Sequence, residues 1–556
     1  MDFMWIQKTF HFLSLYFVLF SIFVKIFRCI TNSYDMNREQ MLNQAVSNNQ
    51  TFDFIIIGGG ATGIGIALEA VTRGYKTLLL EKHDFTKSTS SKSTKLVHGG
   101  VRYLAQGDIA LVREACIERG RLLKNAPHLV KNQSFVIPTF GWFDELMYTV
   151  GLTFYDLLAG RYSLGRSLRV SKKRALEYIP TIEPKKITAG VVYHDGQFDD
   201  SRLAINVLQT ATEHGAIVLN YMNVVKLTKN DKGIVDGVVA EDIETAKNYT
   251  FSGKAIINAT GVFADDVLQM DTPSQAKTIS PSQGVHVVLD KSFLPGNYAM
   301  MIPKTDDGRV LFAVPWHNRI VVGTTDTPIP NASLEPVALE EEIEFILNTA
   351  GRYLTKAPKR SDVLSVFAGL RPLAAPKGDS KKTKEISRSH KIIVTQSELF
   401  TMVGGKWTTF RRMAEDMVNK VETVKGWEKI KSKTRNLKIH GYTKNVDYSD
   451  PLYVYGTDKD KILELAKAEP ELGETISHSL GIIKAQVVWA VRHEMARNVE
   501  DFLARRTRSL LLDARESMRI APAVASIMAR ELHKDKNWER EQVENYLAIA
   551  QNYILS

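Results

Sequence analysis

Three cations stand at the ends of strand-like runs in the second half of this 556-residue chain. Arg371 closes the run VLSVFAGLR (363–371). Arg388 precedes the apolar run Ile392–Thr395. Lys406 follows the Gly404–Gly405 turn in LFTMVGGKWTTF (399–410). A guanidinium is a planar fork able to hold two oxygens of one anion, and a lysine adds a mobile point charge. The Gly–Gly turn, set between a strand and the helix pattern Arg411–Val421, offers backbone N–H groups as well. Convergence of these groups would grip a small anion or a carbonyl-like cofactor edge. Taken singly, each is also consistent with a solvated surface charge. His194, in GVVYHDGQFDD (190–200), has the chemistry of a catalytic acid or base, but its setting favours a structural role.

The element that would position such a site is Thr51–Glu81, TFDFIIIGGGATGIGIALEAVTRGYKTLLLE. An apolar strand ends at Ile57, glycines follow at Gly58, Gly60 and Gly63, and a helix pattern leads to a second strand at Thr77–Leu80 and an acid at Glu81. This is the βαβ pattern of adenine-dinucleotide binding. Gly58 makes the tight turn, Gly60 admits the pyrophosphate and Gly63 lets the helix pack closely. The helix N-terminus faces the phosphates, and Glu81 accepts from the ribose. The hydroxyl-rich run 88–102, STSSKSTKLVHGGVR, would wrap the cofactor, with Arg102 and Tyr103 at its inner end. KAIINATG (254–261) is a returning strand whose turn meets the dinucleotide, which makes the unit discontinuous.

The expected fold is α/β and α+β: a discontinuous Rossmann-like FAD-binding domain, a β-rich substrate domain and a C-terminal helical domain. The boundaries are 1–50 for an N-terminal extension, 51–425 for the FAD-binding and substrate domains, and 426–556 for the helical domain. Substrate-domain segments fall roughly at 130–195 and 280–365. The two cysteines, Cys29 and Cys116, speak against a disulfide scaffold and a cysteine metal site. The formal charge of +10 suits anionic substrates or an anionic membrane surface. No nucleic-acid module accompanies it. Phe10–Val24, FHFLSLYFVLFSIFV, is read as a membrane anchor, a cleaved signal or an over-extended start, with Met36 as the alternative beginning. The aromatic segment Phe140–Leu158 is expected to hold a partly buried helix. The basic stretch Ser163–Leu176 is read as a solvated face.

Taken together, IIIGGGATGIG (55–65), TSSKSTKLVHGGVRYL (89–104), DGQFDDSRL (195–203), INATGVFAD (257–265), QGVHVV, WHNRIVVGTTDTP, GLRPL, GGKWTTFR, WAVRHEMARNVEDFLARRTR (489–508) and LLLDAR (510–515) resemble the FAD-dependent glycerol-3-phosphate dehydrogenase family. The resemblance covers most of residues 51–556. It implies FAD as cofactor and oxidation of sn-glycerol 3-phosphate to dihydroxyacetone phosphate. It implies substrate contacts at Arg102, Tyr103, His286, Arg371, Arg388 and Lys406. His286 is the preferred proton acceptor, with Tyr103, Arg388 and Lys406 as its catalytic companions. The cofactor would lie against Gly58, Gly60, Gly63, Glu81, Ser90, Ser91, Thr94, Lys95, Leu96, Gly99, Gly261, Asp326, Lys406 and Thr408. The chain lacks the long mid-chain insertion associated with oxygen-using glycerol-phosphate oxidases, which favours a membrane quinone as acceptor. Peroxide-forming oxidation is the alternative. Partners implied are glycerol 3-phosphate, a quinone, an anionic membrane surface met by basic C-terminal helices, and a second copy in a homodimer. The implied location is peripheral, on the cytoplasmic face of the cell membrane, or else cytoplasmic and soluble.

Overall fold

The computed structural model describes residues 36–47, 50–104, 107–185, 187–274, 276–303, 305, 308–375 and 390–555, with the side chain of Arg102 left out. The apolar run Phe10–Val24 and Arg388 therefore lie outside the described residues.

Thr51–Ile57 is a strand because its apolar side chains are covered on both faces, as a central parallel strand requires. It pairs in parallel with Thr77–Leu80 on one side and Lys247–Asn258 on the other. Parallel pairing continues outward to Ile217–Leu219 and to Leu399–Val403. Lys391–Val394 and the hairpin Met222–Lys229/Val235–Asp242 add antiparallel strands, completing eight strands among the described residues. The helices Ala61–Thr72, Asp200–Glu213 and Phe410–Lys425 pack together on this sheet. The first crossing is close because Gly65 has no side chain: a Cβ there would lie 2.7 Å from the Phe410 ring.

A second sheet has ten strands among the described residues. Its longest pairing is antiparallel, Ile279–Asp290 against Val363–Ala374, and it sets Ser282 opposite Arg371 and His286 opposite Phe367. Arg319–Gly323 flanks the other side of Ile279–Asp290, with Gly323 opposite His286. The sheet also takes in Leu96–Val97, Val130–Thr139 and Ala189–Phe198, so the hydroxyl-rich run 88–102 joins it directly.

Beyond Gly426 the chain is mainly helical: Asp458–Ala468, Lys484–His493, Ala514–Glu531 and Lys536–Ala550. The last two are separated at 532–535, where Asp535 caps the second by accepting from Trp538 N. A π-helical turn at Asp501–Arg506 aims two arginines into the first domain. Asp84 accepts from Arg505 and, at 2.7 and 2.9 Å, from Arg506. Glu494 pairs with Arg202 at 2.8 Å. All five side chains are buried. Such pairs contribute little net stability, but removing one partner strands a charge in the interior. They fix the helical domain to the two sheets.

Candidate active site and cofactor cleft

At the carboxyl ends of Thr51–Ile57, Thr77–Leu80 and Lys247–Asn258 lies a cavity of about 440 Å³. Ligands bind at this end of a parallel sheet because strand ends and helix starts leave unpaired backbone groups there. Gly58 enters the turn with φ +106°, and a Cβ there would stand 2.8 Å from the Ala259 carbonyl oxygen. Gly63 lies beneath rather than on the wall: its Cβ would fall 1.9 Å from the Gly58 oxygen, so only glycine lets the helix rest on the turn. Gly60 opens to the cavity. Ser90 bends back over the helix start, its hydroxyl accepting from Ala61 N at 2.9 Å.

Glu81 lines the same cavity and accepts from Gly59 N at 2.6 Å and His83 N at 2.8 Å. Burial raises its pKa, while the two N–H groups pull it back down. Each oxygen keeps a lone pair for a further donor. Leu80, Met222, Val224 and Met270 supply an apolar wall, and Gly261 and the Gly404–Lys406 turn close the far side. An adenine dinucleotide needs a glycine turn, an acid after the second strand and an apolar slot. All three are present, so the residues fit FAD.

The run 88–104 connects this cleft to the second sheet. Trp407 Nε1 donates to Ser90 O at 2.9 Å, and His98 N donates to Thr408 Oγ1 at 3.2 Å. Thr89 Oγ1 donates to Leu370 O at 2.7 Å, and Thr94 Oγ1 shares a 2.9 Å hydrogen bond with His286 Nε2. Leu96 is buried in the sheet. Gly99 leaves no room for a side chain beside Tyr155 and Cys116, and its N–H donates to Asp195.

The Lys95 ammonium is fully buried and donates to Asp200 at 2.6 Å and to the Ser91 carbonyl at 2.8 Å. Burial pulls its pKa down to about 7, with Asp200 acting in the opposite sense. Arg508 of the C-terminal region donates to the same Ser91 carbonyl at 2.7 Å and to Asp200 at 2.8 Å. Asp200, Arg508 and Trp407 thus tie down the run 88–102, and none of the three was singled out as a site residue from the sequence. The signal for Arg508 is faint: three arginines in four residues (505–508) within an otherwise ordinary helical pattern.

His286 is 2% exposed and stacks on Phe367 with centroids 4.9 Å apart. Burial, then Lys95 and Arg371, hold its pKa well below the usual histidine value, so the ring is neutral at neutral pH. Its Nδ1 has no hydrogen-bond partner among the described residues. Arg371 is engaged within the sheet. It donates to the Gln283 and Thr325 carbonyls at 3.1 and 2.9 Å, to Thr324 Oγ1 at 3.2 Å and to Asp326 at 3.3 Å. Asp326 also accepts from Ser282. Lys406 lines the cofactor cavity with its Nζ 3.6 Å from the Tyr103 ring centroid. His286 and Arg371 therefore lie on one pair of strands in the second sheet, while Lys406 and Tyr103 meet at the cleft. Arg388 and the side chain of Arg102 fall outside the described residues. His194 lies away from these groups, near Ser134 at 3.2 Å.

Residues 53–405 match the FAD dependent oxidoreductase family, and residues 396–541 match the C-terminal domain of alpha-glycerophosphate oxidase. The chain is 38% identical to the mitochondrial glycerol-3-phosphate dehydrogenase of Macaca fascicularis over 92% of its own length and 75% of the relative's. Against the Homo sapiens protein of that name, identity is 38% over 94% of this chain and 76% of the other. Among solved structures, the glycerol-3-phosphate dehydrogenase from Bacillus halodurans complexed with FAD superimposes with a TM-score of 0.76. It is 27% identical and covers 94% of this chain and 98% of that one.

Proposed function

This chain belongs to the FAD-dependent glycerol-3-phosphate dehydrogenase family and so is an FAD enzyme, and from that premise we propose that it oxidises glycerol 3-phosphate at C2 and delivers the electrons to a membrane quinone. The observation that carries the reading is a family match running through both the cofactor half and the helical half of the chain. Bound FAD supplies the two-electron acceptor for the hydride leaving C2.

The chain's own residues have three tasks. The phosphate must be gripped so that C2 is held for reaction, which is orientation rather than chemistry. Arg102, Arg388 and Lys406 take this role, and Arg371, held by Gln283, Thr324, Thr325 and Asp326, contributes positive charge. The C2 hydroxyl must give up its proton as the carbonyl forms. His286 accepts it, because a neutral imidazole has a free lone pair where an imidazolium has none. The oxygen must also be stabilised while it carries negative charge, and the Lys406 ammonium over Tyr103 does this. Ser90, Glu81 and the three glycines hold the dinucleotide end.

The quinone assignment draws on the resemblance to the quinone-linked branch and on the missing oxidase insertion. We take the membrane to be mitochondrial rather than the cell membrane, since the animal relatives at 38% identity carry that location in their names. The enzyme would be peripheral there: no helix among the described residues is long and apolar enough to cross a membrane. Stopped-flow reoxidation of the reduced enzyme tests the acceptor. Fast reaction with a soluble quinone and slow reaction with oxygen is expected. The reverse order would make it an oxidase.

A further inference from the structure

A second cavity, of about 1140 Å³, lies where the second sheet meets the start of the helix Asp200–Glu213 and the C-terminal region. It shares no lining residue with the cofactor cleft. At that size it can enclose a whole metabolite. Neither the cofactor nor the proposed oxidation uses it.

The charge left over in this cavity is positive. Lys131 and Lys291 line it, and neither has a carboxylate partner among the described residues. Burial, then the neighbouring Lys291, hold the Lys131 pKa below the ordinary lysine value, as two like charges without an anion between them must. The carboxylates that line the cavity are already taken. Asp199 accepts from His317 Nε2 at 2.9 Å and lies 3.5 Å from Arg508 Nε, and Asp450 pairs with Lys459. Donors are left over as well. Trp316 is 3% exposed and Arg202 1%, and both line the cavity. The Trp316 indole Nε1–H and the Arg202 Nε–H have no acceptor among the described residues. Buried donors are ordinarily satisfied. A water would satisfy either donor but not the two lysines, whereas an anion satisfies both.

One wall is aromatic. The Lys131 ammonium lies 5.1 Å from the Tyr448 ring centroid. Tyr448 meets Tyr453 at 5.3 Å between centroids, and Tyr453 stacks on His317 at 5.7 Å. The wall therefore runs from the lysines to Asp199. The inner end of the cavity reaches the run 88–102. Arg508 lines it and donates to the Ser91 carbonyl and to Asp200, which also holds the Lys95 ammonium.

We infer that this cavity is a binding site for an organic phosphate, separate from the substrate site. Lys131 and Lys291 meet its negative charge, and the Trp316 and Arg202 N–H groups meet its acceptor atoms. A phosphate ester fits because it carries up to two charges and three terminal oxygens that accept strongly, and its organic part has the aromatic wall to lie against. An occupant that binds only the folded protein raises its melting temperature.

The test titrates full-length, FAD-loaded protein by calorimetry with ADP and with glucose 6-phosphate, keeping dihydroxyacetone phosphate present to fill the substrate site. A single molecule of at least one of the two should bind per chain and raise the melting temperature. Lys131→Gln/Lys291→Gln should weaken that binding roughly tenfold or more. Trp316→Phe, which keeps a ring and drops the donor, should weaken it roughly threefold or more. Tighter binding of ADP supports the site with a base on the aromatic wall, and equal binding supports it with the phosphate alone being read. Failure of both ligands to bind at millimolar concentration overturns the proposal. So does binding that dihydroxyacetone phosphate displaces, or an affinity unchanged in Lys131→Gln/Lys291→Gln. Anaerobic bleaching of the flavin by glycerol 3-phosphate is a separate result: it should be the same in wild type and Lys131→Gln/Lys291→Gln, and its loss in wild type would sink the catalytic reading, not this site.

Discussion

Replacing His286 with glutamine removes the proposed proton acceptor while leaving a side chain able to hydrogen-bond Thr94, whose hydroxyl lies 2.9 Å from Nε2. General-base catalysis contributes roughly 10²- to 10⁴-fold, equivalent to about 3–5 kcal/mol of barrier at about 1.4 kcal/mol per decade. The rate of flavin reduction by glycerol 3-phosphate, measured anaerobically by stopped flow, should fall by that factor with FAD still bound. The pH dependence gives a second check. Burial, then Lys95 and Arg371, depress the pKa of His286, so the native protein binds its proton less readily than the unfolded chain does. In the wild type the base stays unprotonated below the ordinary histidine value, and flavin reduction should show no break near pH ~6.5. The linked stability has a definite sign. Above the unfolded pKa the buried neutral ring costs nothing, and below it wild type should lose up to about 1.4 kcal/mol per pH unit relative to His286→Gln. A reduction rate within about threefold of wild type in His286→Gln would refute the base assignment, since that is well below the ordinary general-base range.

Lys406→Gln should slow flavin reduction by roughly 10²- to 10³-fold if its ammonium stabilises the developing alkoxide, measured at saturating substrate. A change confined to the half-saturation concentration would assign it to phosphate binding alone. Gly63→Ala places a Cβ 1.9 Å from the Gly58 oxygen, so the turn must move. It should lower FAD content and cost about 1–3 kcal/mol of stability, read from the flavin-to-protein absorbance ratio and thermal melting. Burial alone would lower the pKa of His440, but Asp458 and Glu213 raise it to about 9. Its contribution should therefore be complete below the ordinary histidine pKa and vanish as pH rises through about 9. The stability difference between wild type and His440→Gln in urea should follow that course.

The parts of the molecule built on local pattern were legible in the sequence. Thr51–Glu81 folds as its alternation of apolar runs and glycines dictates. Segment order also foretold a returning strand in KAIINATG (254–261), and the observed strand is longer at its start, Lys247–Asn258. Phe140–Leu158 holds the partly buried helix expected there, Trp142–Ala159, but periodicity reports how wide an apolar face is and not what covers it, so the exposure of Trp142, Val150 and Leu157 was not legible. The same limit applies to charge. Arg371 at a strand end reads as a ligand grip, yet its hydrogen-bond partners come from 45 and 88 residues away, at Asp326 and Gln283. Lys95 reads as a cofactor donor, while its ammonium is taken by Asp200, 105 residues on, beside Arg508. Such partners are set by topology, which local pattern does not encode.

The most direct test of the central claim is anaerobic titration of the purified, FAD-loaded protein with glycerol 3-phosphate. Stoichiometric bleaching of the visible flavin band, with dihydroxyacetone phosphate formed, is the predicted result. A flavin band that stays unchanged while FAD remains bound would contradict the account.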